Sequence, residues 1–212
     1  MVSWLERQPG GCCPRPIHGA ATTPSVFTEA HRSGGVAPGR AAYGRSVTDD
    51  LRIRPVREDD LVEFFVHQLD PTASWMAAFG AEDPTDRRAF AAHWVRILTG
   101  GENLARTVTV DGAVVGHVLA FPVGETIEVS YWIDPACWGR GYATRALAAL
   151  LREVTRRPLF ARTATDNAGS LTVLRRCGFV VRETGRGYAP GRGHEIDEYV
   201  LELPASPGTD PR

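Results

Sequence analysis

From Leu51 onward, apolar and polar positions alternate or recur with recognisable periods. Leu51-Arg-Ile-Arg-Pro-Val56 alternates and meets a proline, which predicts a first strand of edge type. Asp59 and Asp60 then precede Leu61, Phe64, Phe65 and Leu69, the stripe of an amphipathic helix. Asp83-Pro84 reads as an N-cap followed by proline at the first helical position. The helix expected after it buries Phe90, Trp94, Ile97 and Leu98 and stops at Gly100-Gly101. Arg106 to Val110 is a strand leading into Asp111-Gly112, a strong hairpin signal, and Val114 to Phe121 returns from it. Thr126 to Ile133 is the next strand.

A long helix follows, with Ala143, Ala146, Leu147, Leu150, Leu151 and Val154 on one face. Leu159 to Thr163 predicts a short strand. Asp166-Asn167 then opens a helix through Leu171, Leu174 and Cys177, closed by Gly178. Phe179 to Glu183 and Glu195 to Leu203 read as closing strands, joined by a glycine-rich loop from Gly185 to Gly193. The expected order is β, α, α, β, β, β, α, β, α, β, β. That is a mixed α/β layout with an antiparallel middle and a βαβ unit near the end.

Residues 1–48 lack either period and are rich in Gly, Pro, Ser, Ala and Arg. Such a segment cannot bury enough surface to offset its ordering entropy. The expectation is a disordered tail over 1–48, one domain over 49–203 and a flexible tail over 204–212. A formal net charge of -1 gives no broad basic footprint for nucleic acid. No apolar run reaches membrane length and no signal peptide is evident, which points to the cytoplasm. Cys12, Cys13, Cys137 and Cys177 have no zinc-ligand spacing, so no metal is expected. All 24 basic residues are arginine, which removes lysine from any catalytic scheme.

Gly139-Arg140-Gly141-Tyr142-Ala143 lies between a strand and a helix. Backbone amides without Cβ obstruction and a helix N-terminus together suit a pyrophosphate, and Arg140 adds a side-chain donor. A tight turn that binds nothing fits the same spacing. The Rossmann fingerprint fails, because Thr144 stands where its third glycine or alanine belongs. The P-loop lysine is absent as well.

Ser130-Tyr-Trp-Ile-Asp-Pro-Ala-Cys-Trp-Gly-Arg-Gly-Tyr-Ala-Thr144 resembles the acetyl-CoA signature of the GNAT superfamily of N-acetyltransferases. Asn167-Ala-Gly-Ser170 and Leu174-Arg-Arg-Cys-Gly-Phe179 resemble its second signature, and the nearest branch is that of the ribosomal-protein N-terminal acetyltransferases. Trp138 departs from the general pattern, which has Gln or Arg there. The resemblance implies a mostly antiparallel mixed sheet splayed between its fourth and fifth strands, with helices on both faces. It implies acetyl-CoA as co-substrate. The backbone of Tyr131, Trp132 and Ile133 would hold the pantetheine arm, and Trp138 to Thr144 (Trp138, Gly139, Arg140, Gly141, Tyr142, Ala143, Thr144) would surround the pyrophosphate. Asn167 and Ser170 would contact the arm or the nucleotide end. For Asn167 a plain N-cap is the competing reading, and for Ser170 a solvated first turn.

Acyl transfer needs a neutral amine and a stabilised oxyanion, and a strand amide can supply the latter. Many relatives place a tyrosine as acid four residues before the Gly-Phe pair, where this chain has Leu174. Glu128 shares a strand face with Ser130 and Trp132 and is the candidate base, against the reading of a half-exposed strand carboxylate. His117 is a second candidate, while Asp134 and Glu125 at strand ends are expected to be solvated. Trp75, Met76 and Phe79 read as core or pocket wall, and Cys137 and Cys177 as neighbours of the thiol end. The expected acceptor is a small-molecule amine or a protein N-terminal amine, with the chain a monomer or homodimer. A non-catalytic acyl-CoA sensor and a dinucleotide oxidoreductase are the alternatives.

Overall fold

Hydrophobic alternation from Leu51 onward becomes one seven-stranded sheet in a computed structural model that describes residues 49–205. Apart from Pro204 and Ala205, the two expected tails lie outside the described residues. The strands are β1 (Leu51–Pro55), β2 (Leu104–Val110), β3 (Ala113–Val123), β4 (Thr126–Ile133), β5 (Leu159–Ala164), β6 (Val180–Ala189) and β7 (His194–Leu203). Their spatial order is β1-β2-β3-β4-β5-β7-β6, antiparallel throughout except between β4 and β5. Three helices, α1 (Asp60–Gln68), α2 (Pro71–Ala77) and α3 (Arg87–Thr99), precede β2. Helix α4 (Tyr142–Glu153) makes the crossover from β4 to the parallel β5, and α5 (Ala168–Arg176) follows β5. Among the described residues no helix is long and apolar enough to cross a membrane.

Each sheet face buries its own layer. The α4 stripe puts Ala146, Leu147 and Leu150 into a core with Val118, Ala120, Val129, Tyr131 and Ile133, joined by Leu174 of α5. Each such large side chain contributes about 1.5–3 kcal/mol when fully buried. On the opposite face, Phe64 of α1 and Trp94 and Ile97 of α3 pack on Leu119 and Phe121 of β3. The mixed sheet, its one parallel pair and helices on both faces agree with the sequence reading.

Asp111 and Gly112 both have positive φ, 50° and 84°, which makes the two-residue turn between β2 and β3. Gly116 is required for a different reason. It sits opposite Ile133, beside the register shift between β2 and β3 that skips Val115, and a Cβ there would lie 2.0 Å from the Trp132 carbonyl oxygen.

Three expectations are corrected. A short helix, α2, was not anticipated; its N-cap is Asp70, whose carboxylate accepts from the Ala73 amide at 2.8 Å, with Pro71 at the first position. Asp83-Pro84 does not start α3. Asp86 caps that helix, while Asp83 holds the Thr85 amide and hydroxyl in a tight turn. The glycine-rich segment from Gly185 is mostly strand, because β6 runs on to Ala189. Glycines suit that strand because Glu198 of β7 lies buried beneath them: a Cβ on Gly187 would come within 3.0 Å of its carboxylate.

Asp60 shows how the layers are tied. It begins α1, yet its side chain turns into the sheet rather than capping the helix. Its carboxylate accepts from both Arg54 Nη atoms at 2.6 and 2.7 Å, from the Arg57 amide at 2.8 Å and from the Thr107 hydroxyl at 2.6 Å. Burial alone pushes this carboxyl up, but the bonds from Arg54, Thr107 and the Arg57 amide outweigh it and hold it at about 2. The stabilisation is therefore fully present above the unfolded pKa of about 3.9 and is lost as pH falls through about 2. Asp60→Asn is expected to lower stability by about 2–4 kcal/mol at neutral pH. Denaturant unfolding across pH should show the gap between variant and wild type closing as pH drops from about 4 toward 2; a constant gap contradicts this reading.

Candidate functional site

Strands β4 and β5 pair at two positions only, Ile127 with Leu159 and Glu128 with Phe160. Beyond them β4 keeps β3 as its partner up to Ile133, and β5 keeps β7 up to Ala164. The sheet thus forks after Glu128, leaving the outer edge of residues 129–133 without a strand beside it. A groove of about 380 Å³ lies along this edge, walled by Tyr131 and Ile133 of β4, the start of α4 and the start of α5. Met76 of α2 lines it from the other layer.

The upper end of the groove is built by backbone. After β4, Asp134 caps a 3-10 turn, Pro135–Cys137, by accepting the Ala136 amide at 2.9 Å. Gly139 and Gly141 then adopt left-handed conformations, φ 76° and 77°, in which other residues are strained. A Cβ on either would meet nothing within 4 Å, so this backbone faces open space. Helices α2, α3 and α5 are capped by the side chains of Asp70, Asp86 and Asn167, whereas no side chain caps α4. The first-turn amides of α4, with the positive end of its dipole, are therefore available to an anion. Among the described residues lining the groove none is acidic, and Arg176 is the one charged side chain.

Of the residues singled out in the sequence, Tyr131, Ile133, Trp138, Gly139, Gly141, Tyr142, Ala143, Thr144, Asn167 and Ser170 line this groove. Arg140 and Trp132 are not among the lining residues. Trp132 belongs to the opposite face, packed beneath α2 against Ala73 and Ala77. Trp138 donates its indole N–H to the Ile133 carbonyl at 2.7 Å, fixing the loop to the end of β4. Tyr142 turns its hydroxyl to the Asp49 carboxylate at 2.5 Å. Asn167 is a helix cap and more: its oxygen accepts the Ser170 amide at 2.9 Å, and its amide donates to the Met76 carbonyl at 2.9 Å. Ser170 is buried, not solvated, with its hydroxyl 2.7 Å from that of Tyr131.

The base candidates separate cleanly. Strand alternation sends Val129, Tyr131 and Ile133 into the α4 layer, and Glu128, Ser130 and Trp132 to the other face. Glu128 is buried there at the fork itself, in register with Phe121 and Phe160. His117 is enclosed by Phe64 and Trp94, with ring centroids at 4.7 and 5.0 Å. Burial, reinforced by neighbouring His67 and His93, pushes its imidazole down to about 3, which leaves a weak base. Asp134 is half-buried, its second oxygen 3.8 Å from His67 Nε2, and Glu125 is exposed. Cys137 lies in the groove wall and Cys177 near the Thr144 carbonyl; burial raises both thiols, which disfavours a thiolate nucleophile. Leu174 is fully buried core and brings no hydroxyl. No cluster able to hold a metal ion occurs among the described residues.

The sequence reading overlooked Thr172, Val173 and Arg176, which extend the groove along α5. Their spacing from Asn167 and Ser170 is helical and carried the signal. It also treated Phe79 and Met76 alike. Phe79 is core beside Ala164 and Ile196, with the Arg162 guanidinium 5.4 Å above its ring. Arg162 itself pairs with the buried Glu198, a bridge between β5 and β7 with no sequence signature.

The profile of the acetyltransferase (GNAT) domain family matches residues 50–180. No curated protein matches the chain. Among solved structures, RimJ of Mycobacterium smegmatis in complex with CoA-disulfide is 24% identical, with a TM-score of 0.62 over 75% of this chain and 85% of its own. YncA of Salmonella typhimurium with acetyl-CoA is 20% identical, TM-score 0.58, covering 77% and 98%. Spermidine N-acetyltransferase of Vibrio cholerae, with CoA and spermine, is 16% identical, TM-score 0.62, covering 74% and 96%. At these identities the likeness concerns the fold.

The twofold role of Asn167 is open to test. Asn167→Ala is expected to cost about 1–2 kcal/mol in denaturant unfolding. Asn167→Ser retains a capping oxygen and drops the donor to Met76 without setting an acceptor against its carbonyl, so it should cost less. Equal losses for the two variants would mean that the cap contributes nothing.

Proposed function

Since the chain belongs to the GNAT acetyltransferase family, we propose that it transfers an acetyl group from acetyl-CoA to a primary amine by direct attack in a ternary complex. The acceptor is a small-molecule amine or a protein N-terminus. The Trp138-Gly-Arg-Gly-Tyr-Ala143 run and the Asn167…Ser170 pair favour the ribosomal-protein N-terminal branch. The observation that carries the reading is the groove at the forked sheet, with an uncapped helix N-terminus at one end and no acidic lining residue.

Acetyl-CoA fits this groove on chemical grounds. Its pyrophosphate suits the left-handed glycine backbone and the first turn of α4. Its pantetheine arm, rich in amides, suits the β4 edge beyond Glu128, which has no strand beside it; the Ile133 carbonyl there is taken by Trp138, and the remaining backbone groups of that edge meet the arm. When bound, it supplies an acyl carbon already activated as a thioester. Tyr131, Ile133, Trp138, Tyr142, Ala143 and Thr144 wall the arm and the phosphates, Asn167 and Ser170 fix the start of α5 beside it, and Arg176 adds positive charge at the mouth. Arg140 and the Trp132 backbone belong to the same assignment.

Glu128 acts as the general base. It stands at the fork, buried, on the face opposite the α4 layer, and His117 is too weakly basic to replace it. An amine with pKa near 8 is already about one-tenth neutral at pH 7, whereas a lysine-like amine is far below one per cent. Proton removal matters in both cases and more in the second.

Two measurements test this. Acetyl-CoA at about 100 times its Kd should stabilise the wild type by about 2.7 kcal/mol. Gly141→Val should erase that thermal shift, because its side chain enters the space the phosphate needs and strains the left-handed backbone. A wild type indifferent to millimolar acetyl-CoA sinks the assignment. Glu128→Gln should lower kcat about 100-fold at pH 7 with acetyl-CoA binding unchanged, and the deficit should shrink as pH rises. Turnover near wild type at pH 7 would leave Glu128 as a pocket wall only.

A further inference from the structure

We propose that the Tyr131 phenol is the hydrogen-bond donor that stabilises the departing thiolate. The proposal rests on the acetyl-transfer reading and adds a residue to it. A thiolate leaving into a partly apolar cavity loses the water that would solvate it, and a hydrogen bond to the charged sulfur compensates. Two phenols reach the groove. Tyr142 has committed its hydroxyl to the Asp49 carboxylate at its outer end. Tyr131 lies on β4 between the fork and the glycine loop, on the stretch that keeps β3 on one edge and has no strand on the other.

The second observation is how that hydroxyl is held. Its oxygen is 2.7 Å from Ser170 Oγ and 3.2 Å from the Ser170 carbonyl oxygen. At rest the phenol can donate to the carbonyl. When Ser170 instead donates its hydroxyl hydrogen to the phenol oxygen, the phenol hydrogen is released toward the groove. Ser170 is itself held, because Asn167 accepts its amide, so the pair is anchored to the α5 cap. Burial raises the phenol's pKa, opposed only in part by Ser170, so the hydroxyl keeps its proton at every working pH and remains a donor. Leu174, one turn further along α5, is buried and brings no polar group.

In the reaction the amine nitrogen bonds to the acyl carbon and the C–S bond breaks, its electron pair staying on sulfur. The amine proton goes to Glu128 and then to water. Tyr131 donates a hydrogen bond to sulfur without surrendering its proton, and the thiolate takes a proton from water as it leaves.

The test measures the thiol itself. CoA is bound to the full chain, and the ultraviolet absorbance of its thiolate is followed against pH. In Tyr131→Phe, which keeps the ring and its packing, the bound thiol should ionise about one to two pH units higher than in wild type. Its kcat should fall about tenfold or more with the KM for acetyl-CoA little changed. An unchanged thiol titration in Tyr131→Phe overturns the proposal, and a shift in Ser170→Ala alone would assign the donor to Ser170. Should Tyr131→Phe fail to fold, 3-fluorotyrosine placed at position 131 is read in its place, because a more acidic phenol donates more strongly and should lower the pH at which the bound thiol ionises. An unchanged titration there equally overturns it. Absence of CoA binding by wild type would instead overturn the acetyl-transfer reading, so the two failures are distinct.

Discussion

Two strands that stay paired for only two residues govern this molecule. After Glu128 and Phe160, β4 and β5 diverge, and the backbone of β4 is left with polar groups on one edge and no strand to satisfy them. Unmatched backbone groups inside a protein carry a cost comparable to a lost hydrogen bond, so a fold keeps such an edge only where something else meets it. Here water or a strand-like, amide-bearing ligand can do so. The rest of the architecture holds the fork open. The ion pair of half-buried Arg162 with buried Glu198 and six register pairs bind β5 to β7. On the other side Gly116 lets β3 approach β4 so closely that no side chain would fit.

The fork also divides labour between faces. Strand alternation gives Tyr131 to the α4–α5 side and Glu128 to the α1–α3 side, three residues apart on one strand. On the proposed reading, a base at Glu128 and a hydrogen-bond donor at Tyr131 approach the acyl group from opposite faces. The reach is set by the pleat, not by a flexible loop, so it is rigid from the start. The short helix α2 closes the fork on the Glu128 side. It sets Trp132 beneath Ala73 and Ala77, offers Met76 to the groove and is bonded to the α5 cap through Asn167.

Much of this was legible in the sequence where local physics decides. Asp111-Gly112, the α4 stripe, Gly178 after α5 and the glycine loop each have a mechanism within a few residues, and the structure carries all four. The fork itself came from resemblance, since no residue pattern in β4 or β5 announces that pairing will stop. Failures fell where a distant partner decides. Asp60 opens α1 as expected, but the turn of its side chain toward Arg54 and Thr107 has no local signal. Gly185 and Gly187 look like loop residues until Glu198 is seen beneath them. Asp83-Pro84 and Asp70-Pro71 carry the same cap signature, and only the second opens a helix. Ser170 has the spacing of an exposed first turn, and only the packing of Tyr131 against it makes it an interior residue.

On the proposed function the forked sheet is a site of turnover, with an acyl donor in the groove and an amine arriving at Glu128. The most direct measurement is release of free thiol from acetyl-CoA by the full chain across a panel of amines, with peptide N-termini and small polyamines among them. Release should depend on an added amine and match the acetylated product one for one. Acetyl-CoA bound firmly, with no amine in the panel accelerating thiol release, would contradict the proposed function and leave the fold a binding module.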